Sequence, residues 1–291
     1  MIMVAIADYN VKEKSQWCPG CGNFAIVGAL KGALADLGIA QHDAVIVSGI
    51  GCSSKLPHYV NTYGFESLHG RGLPVASGIK LANDRLTVVD VGGDGDGYGI
   101  GSGHFLHIMR RNYDLTYIVH DNQIYGLTTG QASPTSQLGM KTKTTPHGVV
   151  EMPFNPLSTA INGGATFVAR VFAGDIAHMK DVFKQAITHK GFALVDVFQP
   201  CVTFNKLNTY DFFTKRVYKL DAEGHDPGDR MKALEKAYEQ VKTNYERLPV
   251  GVFYKEERPT YESTLPQIKD KALAEQPLNA IDISAAYADM E

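Results

Sequence analysis

The stretch that decides the fold runs from Leu86 to Gly130 and reads LTVVDVGGDGDGYGIGSGHFLHIMRRNYDLTYIVHDNQIYGLTTG. Two apolar runs, Leu86–Val91 and Leu115–His120, flank a helix-like segment over about 99–111, and a polar turn follows each run. This order predicts a strand, an anion-binding turn, a helix, a second strand and a second turn. The unit is therefore typical of an α/β protein with parallel strands.

Asp94 and Asn122 each follow one of these two strands. If the strands are parallel, both side chains emerge at the same edge of the sheet. A carboxylate and an amide oxygen beside glycine-rich backbone can hold Mg²⁺ and a diphosphate bound to it, with a backbone carbonyl near Ile124 as a further ligand. The glycine-rich turn alone is weak evidence, because it has neither the Lys-Ser/Thr of a P-loop nor a clean dinucleotide-binding pattern.

The flanking sequence continues the alternation of strands and helices. Further strands are predicted over Ala44–Ser48, Thr166–Phe172 and Phe192–Phe198. Helices are predicted from an Asn23 cap to a Gly38 stop, over Pro74–Leu81, from about Asp175 to His189 and from about Asp229 to Glu246. We therefore expect a mostly parallel, doubly wound sheet with right-handed connections. Residues 1–220 would form the main domain, and residues 221–291 a peripheral C-terminal extension packed on it or on a partner subunit.

Four chemically active residues follow strand ends in this arrangement, namely Cys52, Asp94, Asn122 and Cys201. They should converge on one edge of the sheet, where open α/β sheets bind ligands. The segments 56–71 and 131–156 lack periodicity and are predicted to be loops. A loop as long as 131–156 is unusual in a compact domain unless it has a function.

Composition narrows the classes of function. The chain has 291 residues, of which 44% are hydrophobic, so a large core can form. A net charge of −3 and a pI near 6.4 provide no basic field for nucleic acid or an anionic membrane. No stretch approaches 18 consecutive apolar residues, and no basic segment precedes the short apolar N-terminus, so we expect a cytoplasmic location.

The four cysteines, Cys18, Cys21, Cys52 and Cys201, leave several interpretations open. A Cys-Pro-Gly-Cys turn with two distant cysteines could ligate a structural zinc or a [4Fe-4S] cluster, and spacing does not separate these. A redox pair at Cys18 and Cys21, buried thiols acting as small hydrophobes, and disulfides are the alternatives. Metal ligation is favoured, because a large core needs no disulfides and no signal peptide is evident.

The segment after Cys52 carries four basic side chains, Lys55, His58, His69 and Arg71. Each alone would usually be a solvated surface group, but together near the predicted edge they suit an anionic substrate. Lys55 is the best candidate for a substrate carboxylate. His104 and His107 are taken as ordinary helix residues, because no acidic partner stands at helical spacing.

Several motifs together resemble a known family. A Gly-Asp-Gly turn followed one βαβ unit later by Asn is the signature of thiamine diphosphate enzymes. WCPGCG at 17–22, GIGCSSK at 49–55, LHGRGLP at 68–74 and DNQIYGLT at 121–128 look like the β subunit of 2-oxoacid:ferredoxin oxidoreductases. The resemblance runs from about Trp17 to Leu220, and PCVTFN at 200–205 is similar to the 2-oxoglutarate branch more than to the pyruvate branch.

The resemblance implies a sheet of the thiamine diphosphate-binding type and a full set of site residues. It implies a [4Fe-4S] cluster on Cys18, Cys21, Cys52 and Cys201, and Mg²⁺ on Asp94, Asn122 and the Ile124 carbonyl. Lys55 would face the substrate. The thiamine contacts would be Ile50, Gly51, Cys52, Ser53, His69, Gly70, Arg71, Gly72, Gly95, Asp96, Gly126 and Leu127.

The implied reaction is the oxidative decarboxylation of a 2-oxoacid to acyl-coenzyme A, with electrons passing through the cluster to ferredoxin, or the reverse fixation of CO₂. An obligate α subunit is expected, because no activating glutamate for the aminopyrimidine is evident in this chain. The alternatives are a pyruvate or broad-range 2-oxoacid enzyme and a non-catalytic zinc protein. Thr129 stands where some relatives carry a lysine that gates the active site, so such gating is not expected from that position.

Overall fold

An eight-stranded sheet forms the centre of the computed structural model, which describes residues 4–268, 271–277, 279 and 281–290. The strands are β1 (Ala44–Ser48), β2 (Tyr63–Glu66), β3 (Thr87–Gly93), β4 (Leu115–Asp121), β5 (Phe167–Phe172), β6 (Phe192–Phe198), β7 (Val217–Lys219) and β8 (Leu248–Lys255). Their order across the sheet is β2-β1-β3-β4-β6-β5-β8-β7. Adjacent strands are parallel except for β5 and β8, which are antiparallel.

Helices cover both faces of the sheet, which confirms the predicted mostly parallel, doubly wound class. One core lies between the sheet and helices α1 and α5, and a second lies between the sheet and helices α2, α3, α4 and α7. The helices are α1 (Asn23–Asp36), α2 (Gly72–Ala82), α3 (Ser102–Arg111), α4 (Pro156–Gly163), α5 (Ile176–Thr188), α6 (Tyr210–Thr214), α7 (Arg230–Lys242) and α8 (Ser284–Ala288). Among the described residues, no helix is both long and apolar enough to cross a membrane.

The central strands are buried because their sequences are mostly apolar. All seven residues of β4 are buried, with Ile118 in the first core and Tyr117 and Val119 in the second. Side chains of a strand alternate between faces, so a strand covered by helices on both sides is mostly apolar, and its polar residues, such as His120 and Asp121 in β4, are buried with it. The strand order places β1, β3, β4 and β6 side by side, so their carboxyl ends form one continuous edge.

The ends of helix α1 differ in part from the prediction. The helix ends where predicted, because Gly38 adopts a left-handed φ of +66° that a residue with a Cβ rarely takes. Asn23 is not the cap. Gly22 precedes the helix, and the buried Asn23 side chain instead places Oδ1 2.8 Å from His120 Nδ1. The Asn23 side chain therefore contacts His120, which is distant in sequence, and does not cap the helix.

Three strands, β2, β7 and β8, lie where the sequence predicted none. Residues 56–71, predicted to be a loop, include the edge strand β2, whose four residues are all exposed and so show no alternation. Strand β8 lies within the predicted extension 221–291 and pairs with β5 in the main sheet. The predicted division at residue 220 stays a prediction, although part of the extension contributes to the sheet.

Helix α4 was also missed, and the Asn155 side chain caps it by accepting from the Ser158 N–H.

Candidate functional site

A pocket of about 110 Å³ lies at the carboxyl ends of β1, β3 and β4. Chain segments that follow these three strands and β2 form its walls. The lining residues are Ile50, Gly51, Cys52, Ser53, His69, Gly93, Asp94, Gly95, Asp96, Asn122, Ile124, Tyr125, Gly126, Leu127 and Thr128. The structure therefore brings together most of the residues selected from the sequence. Gly70, Arg71 and Gly72 do not line the pocket.

Asp94 and Asn122 reach this pocket from neighbouring strands. Asp94 is buried, and its Oδ2 accepts a hydrogen bond from the Thr135 hydroxyl at 2.7 Å. Asn122 donates through Nδ2 to Gln199 Oε1 at 3.1 Å, which turns its amide oxygen toward the Ile124 N–H, also at 3.1 Å. A carboxylate, an amide oxygen and the Ile124 backbone thus lie in one pocket, which is the kind of oxygen-donor set that Mg²⁺ takes.

The Asp96 carboxylate holds two segments of the pocket wall together through hydrogen bonds. Its Oδ1 accepts hydrogen bonds from the Ile50 N–H at 2.9 Å and the Gly70 N–H at 2.7 Å, and lies 2.7 Å from His69 Nδ1. A Cβ at Gly49 would lie 2.0 Å from Asp96 Oδ2. One carboxylate therefore holds the turn after β1 and the segment before α2 together, which explains how Gly70 supports the pocket without lining it.

Buried carboxyl groups surround the inner end of the pocket. Burial raises the pKa of Asp94 to about 6, and burial with nearby negative charge raises the pKa of Asp90 and of Asp121 well above the ordinary value. Asp196 is also buried, and its Oδ2 accepts from Arg170 Nε at 2.7 Å. A cation bound at Asp94 would favour the ionised carboxylate and lower its pKa.

The four cysteines gather beside the same pocket, and all four are free thiols. A Cβ at Gly126 would lie 3.6 Å from Cys201 Sγ and 3.8 Å from Cys52 Sγ. Burial, with smaller contributions from the charges of Cys201, Cys52 and Cys18, raises the pKa of the Cys21 thiol to about 12. Among the described residues, no group of three or more His, Cys, Asp or Glu side chains is arranged around a single metal-ion position.

The backbone links the cysteine-bearing segments. The Cys21 N–H donates to the Cys18 carbonyl at 3.0 Å, which closes the Cys-Pro-Gly-Cys turn. Gln199 Nε2 donates to Cys21 Sγ at 3.2 Å, and Trp17 Nε1 donates to the Cys52 carbonyl at 2.6 Å. These contacts hold the N-terminal turn against the ends of β1 and β6.

The predicted basic residues separate in the structure. Lys55 lies near Cys52. Its positive charge lowers the pKa of the Cys52 thiol, but burial has the larger effect, so the pKa is raised overall. Lys55 Nζ donates to Gln16 Oε1 at 3.3 Å. His58 pairs with Glu66 at 2.6 Å on the surface, and Arg71 is exposed at the start of α2. Of these, only His69 lines the pocket.

His104 and His107 line a different and larger cleft of about 460 Å³ between α2 and α3. Burial and the charge of Arg71 lower the pKa of His104, which favours its neutral form. Cleft size alone therefore does not identify the functional site, because the smaller pocket is the one that contains the oxygen donors and the cysteine.

Sequence reasoning missed four side chains at the site, of which Thr128 lines the pocket. Tyr125 also lines the pocket and donates to the Gly95 carbonyl at 3.2 Å, Gln199 orients Asn122, and Thr135 contacts Asp94. Tyr125 and Gln199 could have been suspected, because each is close in sequence to a residue that follows a strand. Thr135 has no such signal, since it stands in a long loop of threonine, serine and proline.

Two family models match the chain. The thiamine pyrophosphate enzyme C-terminal TPP-binding domain matches residues 44–197. The C-terminal region of the pyruvate ferredoxin oxidoreductase β subunit matches residues 201–270. The first match covers β1 through most of β6, which contribute most of the pocket, so the pocket belongs to a thiamine diphosphate-binding domain.

Similar proteins support the same grouping. The chain is 47% identical to the 2-oxoacid:ferredoxin oxidoreductase subunit beta of Saccharolobus solfataricus, over 92% of this chain and 91% of that protein. It is 42% identical to the 2-oxoglutarate synthase subunit KorB of Archaeoglobus fulgidus, over 70% of this chain and 77% of that protein. A solved 2-oxoglutarate:ferredoxin oxidoreductase from Magnetococcus marinus, with 2-oxoglutarate, coenzyme A and succinyl-CoA bound, is 40% identical. That structure matches with a TM-score of 0.91, over 100% of this chain and 97% of that chain.

Proposed function

The chain belongs to the β subunits of the 2-oxoacid:ferredoxin oxidoreductases, and from this premise we propose that its pocket holds thiamine diphosphate through Mg²⁺ beside a [4Fe-4S] cluster. One observation carries the proposal. Cys52 lines the pocket that contains Asp94 and Asn122, and it also lies beside Cys201 in the cysteine group. A cofactor in the pocket and an electron acceptor on the cysteines would therefore be neighbours.

The residues present fit Mg²⁺. Asp94, Asn122 and the Ile124 carbonyl would supply hard oxygen ligands, and the remaining positions would be taken by diphosphate oxygens and water. The Gln199 contact fixes the orientation of the Asn122 amide, so the oxygen rather than the nitrogen is available to a metal. A divalent cation would also offset the excess of buried carboxyl groups around Asp94, for which Arg170 is a buried counter-charge.

The cysteines fit a [4Fe-4S] cluster. Iron–sulfur clusters take thiolate ligands, and the cluster irons would supply the positive charge that stabilises the thiolate of the half-buried Cys21, whose pKa is otherwise raised. Thiamine diphosphate would supply the carbanion chemistry at the keto carbon of a 2-oxoacid, and the cluster would accept the resulting electrons one at a time. Lys55, near Cys52, would bind a substrate carboxylate.

The pocket is too small to enclose a whole cofactor by itself. Its volume of about 110 Å³ lies well below the roughly 300–1,000 Å³ of small-molecule sites. Large apolar side chains are exposed along the segment that leads to the pocket residue His69, with Tyr63 61% exposed, Phe65 50% and Leu68 76%. Since Tyr63 and Phe65 lie on the edge strand β2, a form of surface that proteins usually cover, we propose that an obligate α subunit completes the site there.

The proposed substrate is 2-oxoglutarate, and a pyruvate or broad-range 2-oxoacid enzyme is the alternative. The bound 2-oxoglutarate and coenzyme A of the Magnetococcus marinus enzyme support the first, whereas the Saccharolobus solfataricus relative carries the general 2-oxoacid name. Coenzyme A would be the co-substrate and ferredoxin the electron acceptor, with reverse operation fixing CO₂. A reducing compartment such as the cytoplasm suits four free thiols and a cluster.

The test uses the chain co-purified with its partner subunit. We expect the wild-type complex to contain about four irons with sulfide per chain and to bind thiamine diphosphate only with Mg²⁺. Asp94→Ala should abolish cofactor binding and keep the iron, whereas Cys52→Ala should lose the iron. Asp211→Ala serves as the control, because that carboxylate is exposed in α6 and should change neither property.

Three outcomes would contradict the proposal. One zinc with no iron would indicate the non-catalytic zinc protein, and full activity of the isolated chain would exclude the obligate partner. Unchanged cofactor binding in Asp94→Ala would remove the metal site from Asp94. A thermal unfolding scan of each variant distinguishes loss of a ligand from loss of the fold. For the complex, the ratio of kcat/KM for 2-oxoglutarate and pyruvate decides the substrate.

A further inference from the structure

A buried segment of the long loop, Ser133–Ser136, lies directly beneath the proposed metal site. Thr135 is 4% exposed and Ser136 is 1% exposed, which is unusual for polar residues in a loop. The Ser136 hydroxyl donates to the Gln123 carbonyl at 2.7 Å and accepts from the Ser133 N–H at 2.9 Å. The segment is therefore bonded to the turn that contains Asn122 and Ile124.

Thr135 connects the two strands that supply the proposed Mg²⁺ ligands. Its Oγ1 lies 2.7 Å from Asp94 Oδ2, at the end of β3, and 2.6 Å from Asp121 Oδ1, at the end of β4. Both carboxyl groups are buried, so water does not compete for these contacts. The hydroxyl thus links Asp94, a proposed Mg²⁺ ligand, to Asp121, which precedes the proposed ligand Asn122.

The rest of the loop holds Thr135 in place. The Phe154 N–H donates to the Pro134 carbonyl at 2.8 Å, and Pro134 Cγ lies 3.4 Å from the position that a Cβ on Gly99 would take. At the start of the loop, the Tyr125 N–H donates to the Gln131 carbonyl at 2.9 Å. Backbone contacts on both sides of Thr135 therefore determine where its hydroxyl lies.

We propose that Thr135 is a positioning residue for the metal, whose hydroxyl holds the Asp94 carboxylate in the orientation that ligates Mg²⁺. The inference rests on the proposed function and assigns a role to the loop 131–156, which the reaction itself leaves unexplained. Metal-ligating carboxylates are themselves oriented by hydrogen bonds, and loss of such a partner typically lowers metal affinity about 10- to 100-fold.

The experiment compares Thr135→Ala with Thr135→Ser in the complex of both subunits, because these variants differ by one hydroxyl. The readout is the Mg²⁺ concentration that gives half-maximal binding of thiamine diphosphate, measured by calorimetry, together with iron content and Tm. We expect Thr135→Ala to raise this concentration about 10- to 100-fold, and Thr135→Ser to stay within about threefold of wild type. Iron content should be unchanged in both.

Two further variants separate the hydroxyl from packing. Thr135→Val keeps the size of the side chain and should behave like Thr135→Ala. Thr142→Val is the control in the same loop, because the hydrogen bonds of the Thr142 hydroxyl within the described part of the chain are to Thr144 and Thr145 of that loop. This variant should bind Mg²⁺ like wild type.

The outcomes distinguish this inference from the proposed function. If the wild-type complex binds the cofactor with Mg²⁺ but Thr135→Ala binds equally well, the inference is wrong and the proposed function stands. An equal loss of Mg²⁺ affinity in Thr135→Ser and Thr135→Ala would assign the effect to the methyl group of Thr135. That result would also overturn the inference. If the wild-type complex shows no Mg²⁺-dependent binding, the proposed function fails and the positioning role fails with it.

Discussion

At the scale of single residues, glycines shape the pocket because neighbouring side chains occupy the space that a Cβ would need. A Cβ at Gly95 would lie 2.0 Å from Tyr125 Cε1, and one at Gly97 would lie 2.0 Å from the Tyr117 hydroxyl. The backbone of the Gly-Asp-Gly turn can therefore approach the aromatic ring that lines the pocket. The glycines are required here for close approach rather than for flexibility.

Gly95→Ala should therefore weaken cofactor binding. The new methyl group must displace the Tyr125 ring, and such overpacking costs about 1–3 kcal/mol. We expect the Tm of the complex to fall, and its affinity for thiamine diphosphate, measured by calorimetry in excess Mg²⁺, to fall as well because the displaced ring lines the pocket.

Gly103→Ala provides the matched control. Gly103 lies inside helix α3, and a Cβ there would meet nothing within 4 Å. Since alanine favours a helix over glycine by about 0.5–1 kcal/mol, Tm should rise slightly with no change in affinity. Wild-type affinity in Gly95→Ala would show that Tyr125 moves aside without cost.

At the scale of elements, one buried polar network joins the sheet to the glycine-rich turn. Arg170 on β5 donates to Asp196 on β6, and the Tyr98 hydroxyl, from the turn after β3, donates to Asp196 Oδ1 at 2.8 Å. Arg170 also donates to Gln240 on α7, and its guanidinium lies 4.4 Å from the Phe198 ring centroid. The network connects the pocket turn to a helix of the C-terminal segment.

Removing the cation from this network should be strongly destabilising. Arg170→Met would leave Asp196 buried without its ionic partner, and breaking a buried pair in this way costs about 3–5 kcal/mol. Urea unfolding should show this loss as a lower midpoint with an unchanged slope.

An exposed ion pair serves as the comparison for Arg170. Lys232 pairs with Asp229 at 3.3 Å on the surface of α7, and Lys232→Met should change the unfolding free energy by less than about 1 kcal/mol. A loss below about 1 kcal/mol in Arg170→Met would mean that Asp196 is accommodated without its partner.

At the scale of the whole molecule, buried histidines make folding depend on pH. Burial lowers the pKa of His189 to about 4 and that of His120 to about 3. In the unfolded chain a histidine titrates near 6.5. Between pH 6.5 and 4 the unfolded chain therefore binds more protons, so the stability contributed by the neutral histidines is complete above pH 6.5 and is lost as pH falls.

His189→Gln should reduce this acid sensitivity. His189 Nε2 lies 2.8 Å from Thr166 Oγ1, at the junction of α5 and β5, and glutamine can contact the same hydroxyl without titrating. The slope of the unfolding free energy between pH 6.5 and 4 should fall by up to about 1.4 kcal/mol per pH unit. An unaltered slope in His189→Gln would contradict the assigned burial effect.

Several elements and the core of the site could be predicted from local sequence. The strands β1 and β6 begin and end where predicted, because fully buried strands are continuous apolar runs bounded by turn residues. The convergence of Cys52, Asp94, Asn122 and Cys201 followed from the parallel arrangement, since each stands just after a strand. Strand β2 could not be found in this way, because its four exposed residues carry no alternating pattern.

The sequence by itself determined the fold class, the family and the residues that meet at the edge of the sheet, because these depend on local periodicity and on motifs of adjacent residues. Only the tertiary structure decided that β8 joins the main sheet, that Asn23 contacts His120 rather than capping α1, and that Thr135 reaches Asp94 across 41 positions of sequence. Such contacts depend on how distant segments pack against one another. Local propensity does not specify that packing. The proposed role of the loop 131–156 could therefore be inferred only from the structure.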